Sequence, residues 1–344
     1  MSASVVVRGS GSIGQRHARV FRQVGAEVLL WPVRDRGLGA DAVDDATGAR
    51  LSGDADALAT LASADLVVVA TDTGRHVADA VRALEAGAER VLVEKPVATH
   101  ADDAGPLHVH PRSSAVWVAA PLRAHEGFRH LRRLVGRLHR GGSAHVWSQS
   151  WLPDWRPERD YRESYSARAD EGGVLRDLVH EIDYATVLFG PPVLLGATVA
   201  TGGPLDIDAE QAATLLWTTS GFDVTARLDY ITRPTTRGVL VHSPDGILEW
   251  DVVRAVVRHT TPDGEMMEQV FHHDLDRDIV MGTQARAALD LRPSTPLDER
   301  VARGAPATLS DGIAAVALCD EARSTGRREV VVVTDPDPDP EETP

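Results

Sequence analysis

Cysteine occurs once in this chain, at Cys319, and lysine once, at Lys95. The first scarcity excludes an intramolecular disulfide and a cysteine-built zinc site. The second is unusual in another way, because every other member of the 36 Lys+Arg is arginine. Long apolar runs are missing too: no stretch approaches the roughly 20 residues that a membrane span needs. The N-terminus shows no charged region followed by an apolar core and a cleavage site, so a cytoplasmic location is the expectation. Positive charge is in deficit, with a formal net charge of −15, which argues against a nucleic-acid or anionic-membrane partner. Part of the excess lies in residues 335–344, where acids alternate with prolines and the expectation is a disordered tail. At 344 residues the chain is too long for one ordinary core, and two domains are expected.

The single lysine ends a short apolar run, Val91-Leu92-Val93-Glu94-Lys95-Pro96. Arginine stays charged, whereas the pKa of lysine moves with burial, so the two do not substitute for each other in proton chemistry. Lys95 is therefore a catalytic candidate, set against the alternative that one lysine survived by chance.

Upstream, Ser4-Val5-Val6-Val7-Arg8 reads as a strand feeding into Gly9-Ser10-Gly11-Ser12-Ile13-Gly14. Ile13, Ala18, Phe21 and Val24 then recur at near-helical spacing up to Gly25, and Glu27 to Trp31 reads as a second strand. Strand, G-x-G-x-x-G, helix and strand within about 30 residues form the dinucleotide-binding unit. In it the first glycine makes the tight turn, the second lets a pyrophosphate reach the backbone, and the third lets helix and strand pack closely. The helix start then faces the phosphates with its N–H groups. Beyond the second strand, Arg34-Asp35-Arg36 places two arginines around one aspartate, which tilts the reading toward NADP over NAD; a solvated charged turn is the alternative.

Residues 65–70 form a continuous apolar run, as a parallel strand buried on both faces should. The loop Thr71-Asp72-Thr73-Gly74-Arg75-His76 follows, then a helix marked by Val77, Ala80, Val81 and Leu84, then Val91-Leu92-Val93. Ligands of open α/β sheets bind beyond the carboxyl ends of the strands, so the glycine loop, the Thr71–His76 loop and Glu94-Lys95 point into one crevice. The candidate cofactor contacts are Gly9, Ser10, Gly11, Ser12, Ile13, Gly14, Arg34, Thr71, Thr73, His76, Glu94 and Lys95.

With Leu122-Arg123-Ala124-His125 and the segment from Gly172 through His180 to Asp183, these motifs resemble the glucose-fructose oxidoreductase / inositol dehydrogenase (Gfo/Idh/MocA) family. The resemblance spans both halves of the chain. It implies a Rossmann domain over residues 1–120 and an α+β domain over residues 121–334 that binds substrate and mediates oligomerisation, with a large, mostly antiparallel open sheet. It further implies an NAD(P)-dependent oxidoreductase moving a hydride between nicotinamide and a ring carbon of a sugar, sugar derivative or cyclitol. Lys95, His180 and Asp177 take the catalytic roles on that basis, Arg123 a substrate contact, and the Lys95–Pro96 peptide is expected cis. Two departures stand out: Arg176 occupies the place where many relatives carry the aspartate, and Val118-Ala119-Ala120-Pro121 lacks their tyrosine and asparagine. A nicotinamide-dependent glycosidase and a non-catalytic NADP-binding sensor are the alternative readings.

The second constellation also has a reading of its own. Gly172-Gly173 gives a flexible approach to one helix whose apolar face is Leu175, Leu178, Val179, Ile182 and Leu188. Asp177 and His180 lie three apart on one side of it, placed to share a proton or to anchor the helix. Oxidation of a hydroxyl needs a base poised near neutral pH. The loop from Trp151 to Tyr165 interleaves aromatics, arginines and prolines. Aromatic faces stack on rings and arginine forks clamp anions, so Trp155, Arg156, Tyr161 and Tyr165 join His180 as substrate candidates, for a substrate that carries an anionic group; a packing loop is the alternative.

From Gly196 the texture changes to strands at 197–201, 212–218, 222–228, 238–242, 246–253 and 256–260, with helices at 278–289 and 310–325 and a last strand at 330–333. One face of that sheet would cover the His180 helix; the other invites self-association into a homodimer or homotetramer. His108, His110, His272 and His273 lack a supporting carboxylate spacing, and no metal is expected.

Overall fold

The computed structural model describes residues 2–33, 43–51, 53–139 and 141–329. Arg34, the strand expected at 330–333 and the acidic tail at 335–344 lie outside the described residues.

The first half alternates strand and helix: β1 (Ser4–Arg8), α1 (Ser12–Gln23), β2 (Glu27–Trp31), β3 (Arg50–Leu51), α2 (Asp54–Leu61), β4 (Leu66–Val69), α3 (His76–Glu85), β5 (Val91–Val93), α4 (Gly105–His108) and β6 (Val116–Val118). The second half begins with α5 (Glu126–Val135), β7 (Gly142–Trp151), α6 (Val174–Asp177) and α7 (Val179–Phe189). Six strands follow: β8 (Val193–Thr201), β9 (Glu210–Thr218), β10 (Phe222–Asp229), β11 (Ile231–Ser243), β12 (Gly246–Asp251) and β13 (Val256–Thr260). The chain closes with β14 (Met266–Val270), α8 (Arg277–Asp290), α9 (Leu297–Ala302), β15 (Ala307–Thr308), α10 (Leu309–Gly326) and β16 (Arg327–Glu329).

Sheet one runs β15-β6-β5-β4-β1-β2-β3, parallel throughout except where β15 joins β6. Its strands are apolar on both faces because helices cover both. Val6, Val67, Val69, Val91 and Val93 pack under α3, α4 and α10; Val5, Val7, Leu66, Val68 and Leu92 pack under α1 and α8. Strand order reverses between β1 and β4, which opens a crevice at their carboxyl ends. Because α8, α10 and β15 return to this sheet, the chain after residue 120 is not confined to the second one.

Sheet two runs β14-β13-β12-β11-β7-β10-β9-β8-β16 and is mostly antiparallel, with β7–β10 and β8–β16 the parallel pairs. One face packs Val146, Leu215, Trp217, Leu228 and Trp250 against α5, α7 and α10. Two of its strands carry no sequence signal of their own. In β7 the inward positions include Ser148 and Ser150 while Trp147 looks outward, so the apolar alternation is lost. In β14, an edge strand, all five residues are exposed.

The helix expected to run through residues 174–188 is broken. Leu178 adopts φ −100° and ψ 26°, which ends α6 and restarts the chain as α7. Gly172 and Gly173 are not a flexible approach either: a Cβ on Gly172 would lie 2.1 Å from the Tyr165 carbonyl oxygen, and one on Gly173 2.4 Å from the Glu210 carboxylate.

Candidate active site

The crevice floor is built by the glycine loop. Gly9 turns at φ +106°, and a Cβ there would lie 2.4 Å from the Ala70 carbonyl oxygen. At Gly14 a Cβ would lie 2.0 Å from the Gly9 carbonyl oxygen, so β1, β4 and α1 close on each other only because both side chains are missing. At Gly11, the residue that caps α1, a Cβ would meet nothing within 4 Å. Open space therefore lies over the start of α1, whose first turn carries no acidic side chain. Ser10, Ser12 and Ile13 border it at the surface. Beside it, Thr71 carries a buried hydroxyl oxygen with no partner. Helix N–H groups, open space above them and a spare hydroxyl suit the pyrophosphate of a dinucleotide.

Two cofactor candidates brace the crevice instead of lining it. His76 is 1% exposed, and its ring nitrogens meet the Pro96 carbonyl at 2.8 Å and the Thr71 carbonyl at 3.0 Å. Its side chain thus ties the loop after β4 to the loop after β5 and has no edge left for a ligand, which corrects the expectation of a direct contact. Glu94 takes a 2.6 Å contact from His17 of α1 and accepts the Lys95 backbone N–H. Burial works to raise its carboxyl, but the bonded His17 and the nearby Lys95 charge overcome it and hold the pKa below the ordinary value. Thr73 is half-buried in the short turn Thr73–Arg75, which faces Glu171 across the crevice.

Lys95 follows β5 through a cis peptide to Pro96, as expected. Its ammonium donates to the Asp177 backbone carbonyl at 2.9 Å and lies 3.6 Å from that residue's carboxylate. Burial would lower the lysine pKa, yet Tyr165, Asp177 and Glu94 outweigh it and raise it, so the group stays protonated. His180, in the first turn of α7, shares with Lys95 the lining of a small cavity that also includes Pro96, Ala120 and Asp183. Burial first, then the charges of Lys95, Arg237 and Arg277, push the imidazole well below its ordinary pKa and keep it neutral. A protonated lysine and a neutral histidine thus line the same cavity.

Asp177 does not pair with His180 as the three-residue spacing suggests. The break at Leu178 turns it toward Ser166 and Tyr230, whose hydroxyls both donate to its Oδ2 at 2.6 Å. Arg123 is likewise corrected. It is 2% exposed, its fork is spent on Asp183 at 2.6 and 2.8 Å, and its third nitrogen reaches Asp311 at 3.1 Å. An arginine so buried and so committed joins α7 to α10 as a brace. Arg176 is buried and donates to the carbonyls of Thr99, Ala169 and Gly172.

The aromatic loop divides. Tyr165 comes close enough to Lys95 and Asp177 for their charges to act on it. Trp155 donates to Ser150 and sets its ring edge-on to Tyr230 at 5.4 Å. Tyr161 packs against the second core, and its hydroxyl accepts the Asp206 backbone N–H. Arg156 is exposed on the outside of the loop.

Four groups around the site escape sequence reading. Ser166 and Tyr230 are single hydroxyls in unrelated segments. Arg237 reaches in from β11 to hold Glu181, which is fully buried, at 2.6 and 3.0 Å. His17 carries the one usable signal, a histidine one helical turn beyond Gly14.

Residues 3–120 match the family described as an oxidoreductase family with an NAD-binding Rossmann fold, Gfo/Idh/MocA. That match covers the dinucleotide-binding part of the chain. The whole chain shares its fold with solved structures at low identity. A levoglucosan dehydrogenase in complex with NADH superposes with a TM-score of 0.75 at 16% identity, covering 95% of this chain and 98% of that one. UDP-N-acetylglucosamine 3-dehydrogenase from Acidithiobacillus ferrooxidans gives 0.70 at 18%, covering 95% and 98%. An oxidoreductase from Agrobacterium radiobacter in complex with NAD+, L-tartaric acid and magnesium gives 0.73 at 18%, covering 94% and 97%. No curated protein matches. Among the described residues no helix is long and apolar enough to cross a membrane, and no three His, Cys, Asp or Glu side chains gather to hold a metal.

Proposed function

We propose that this oxidoreductase transfers a hydride between a bound nicotinamide dinucleotide and a secondary alcohol or ketone carbon of a sugar, sugar derivative or cyclitol. The observation that carries the reading is the shared lining of one cavity by Lys95 and His180, the first held protonated and the second neutral. Gly9 to Gly14 and Thr71 would hold the dinucleotide. When bound, its nicotinamide supplies the hydride acceptor or donor. Lys95 holds the reacting oxygen by donating to it, and His180 takes the hydroxyl proton on oxidation and returns it on reduction. Asp177 orients Lys95 through its main-chain carbonyl and its carboxylate.

In this reading residues 1–120 bind cofactor and residues 121–334 supply the substrate side. Tyr165, beside Lys95 and Asp177, and Trp155, edge-on to Tyr230, are the aromatic faces for the ring; levoglucosan and L-sorbose bound to structural neighbours support a sugar-like ligand. Arg34-Asp35-Arg36 makes NADP the expected dinucleotide over NAD. Val193, Leu195 and Leu216 stand 62%, 60% and 41% exposed on β8 and β9, which supports self-association through that sheet. Cytoplasmic residence fits a chain that depends on a soluble dinucleotide.

The experiment is nicotinamide absorbance on a panel of neutral and anionic sugars with NAD and NADP, for wild type and Lys95→Met. Turnover in wild type and its loss in the variant are expected. A variant as active as wild type contradicts the assignment, and cofactor that is reduced and reoxidised without net turnover redirects it to a glycosidase.

A further inference from the structure

The carboxylate of Asp177 is almost sealed, 3% exposed, and its two oxygens are treated very differently. Oδ2 takes two hydroxyl donors at 2.6 Å each, from Ser166 and from Tyr230. Oδ1 is buried with no hydrogen bond, and the nearest cation, the ammonium of Lys95, stands off at 3.6 Å, beyond bonding distance. A buried carboxylate oxygen left this way would gain by closing the gap, since an unsatisfied charged acceptor is costly and an ammonium contact is among the strongest available to it. Something prevents the closure.

The two hydroxyls are placed to do so. Tyr230 is fully buried between β10 and β11, its backbone N–H bonded to Gln211 and its ring met edge-on by Trp155. Burial pushes its phenol well above the ordinary value, so it stays a donor. Ser166, 3% exposed, approaches from the loop before α6. With two donors converging on one oxygen from separate elements, the carboxylate plane cannot rotate toward the lysine without breaking both bonds. We propose that Ser166 and Tyr230 are positioning residues that hold the Asp177 carboxylate just short of contact with Lys95, so that the ammonium keeps an anionic neighbour while its remaining protons stay available to the crevice. This deepens the reading of Lys95 as the donor to the reacting oxygen, and rests on it.

The other groups that face the ammonium are Glu94 from its own loop, Tyr165, Arg237 from β11 and His180 from α7. Of these, Tyr165 also bears on the Asp177 carboxylate through its hydroxyl, more loosely than the two 2.6 Å donors, so the removal of the Ser166 or Tyr230 hydroxyl is felt first by the carboxylate and through it by Lys95. Losing a donor also returns negative charge to the carboxylate. Both effects tighten its hold on the ammonium and raise the lysine pKa.

Because Lys95 is the sole lysine, protein grown on isotopically labelled lysine gives one lysine side-chain resonance, and its titration reads this site directly without any substrate. Tyr230→Phe is expected to move the midpoint upward by roughly one pH unit. Ser166→Ala, which disturbs packing less, moves it the same way, and the rate of Lys95 acylation at fixed pH falls in proportion. Asp177→Asn lowers the midpoint, and on that background neither hydroxyl variant shifts it further. An unchanged or lowered midpoint in both hydroxyl variants, or the same upward shift when Asp177→Asn is already in place, overturns the proposal. Failure of the sugar panel to turn over would leave this titration result standing, whereas normal turnover with no titration shift would remove the positioning role and leave the function.

Discussion

Lys95 donates to the main-chain carbonyl of Asp177 at 2.9 Å, a contact that links the end of β5 to the end of α6 across the crevice. The lysine is thereby aimed by backbone, which does not rotate or titrate, and kept charged by the carboxylate behind it. Lys95→Met should lower kcat by roughly 10²–10⁴-fold, the span for loss of a positioned proton donor, with dinucleotide affinity little changed. Lys95→Arg should fail similarly, since a broad planar fork does not fit where a point charge sits. Steady-state kinetics with a separate cofactor titration checks both, and an arginine variant near wild-type activity would show that charge alone suffices.

Neutral His180 and protonated Lys95 also set the pH dependence. The imidazole is held well below its ordinary value of 6.5 by burial and by the Lys95, Arg237 and Arg277 charges. Base function is therefore lost only as pH falls through that depressed value. The ammonium is held above its ordinary 10.5, so donor function is lost only as pH rises through the raised one. The kcat profile should form a broad plateau across neutrality. An acid-side inflection at or above 6.5 would assign the base to another group.

Arg123 offers a test in which the outcome is stability. Its fork neutralises Asp183 in the interior, and Arg123→Met leaves that carboxylate buried without its partner. Breaking a buried pair from one side costs about 3–5 kcal/mol. The melting temperature should then drop by roughly 10 °C. A variant that melts like wild type and loses only substrate affinity would restore the arginine to the substrate side.

How much of this is legible in the sequence follows from how local each signal is. The Rossmann unit announces itself because a glycine triplet, a two-faced apolar strand and a helix stripe lie within one short segment. The Lys95 loop stands out for the same reason. Asp177 and His180 stand out as residues but are wrongly joined by their spacing, because the turn at Leu178 that parts them has neither glycine nor proline to mark it. Arg123 misleads because an arginine in a family motif looks the same whether it faces solvent or two carboxylates. Tyr230 and Ser166 are invisible, since what makes them matter is a shared oxygen that only the fold brings to both.

The exposed face of sheet two carries a prediction about assembly. Val193, Leu195 and Leu216 are branched side chains on β8 and β9 with most of their surface or a large part of it in solvent. If the chain self-associates through this face as proposed, wild type sediments as an oligomer and Leu195→Asp as a smaller species in analytical ultracentrifugation with the fold intact, because a charge is costly on a covered apolar face and cheap on an exposed one. Unchanged sedimentation would move the interface elsewhere.

Gly11 and Gly14 separate folding from cofactor binding within one motif. Gly14→Ala brings a methyl group to 2.0 Å from the Gly9 carbonyl oxygen, which is main chain and has nowhere to move, so the variant should be strongly destabilised with or without dinucleotide. Gly11→Ala meets nothing within 4 Å and should melt close to wild type. Its methyl group instead enters the space that a pyrophosphate must occupy to reach the start of α1. Losing one charge-assisted hydrogen bond there weakens binding by roughly ten- to a hundredfold. Thermal melts with and without NAD and NADP distinguish the two: Gly11→Ala should lose the ligand-induced rise in melting temperature while keeping the ligand-free value. If Gly11→Ala binds both dinucleotides as wild type does, the phosphates do not lie over α1, and the crevice has been assigned to the wrong ligand.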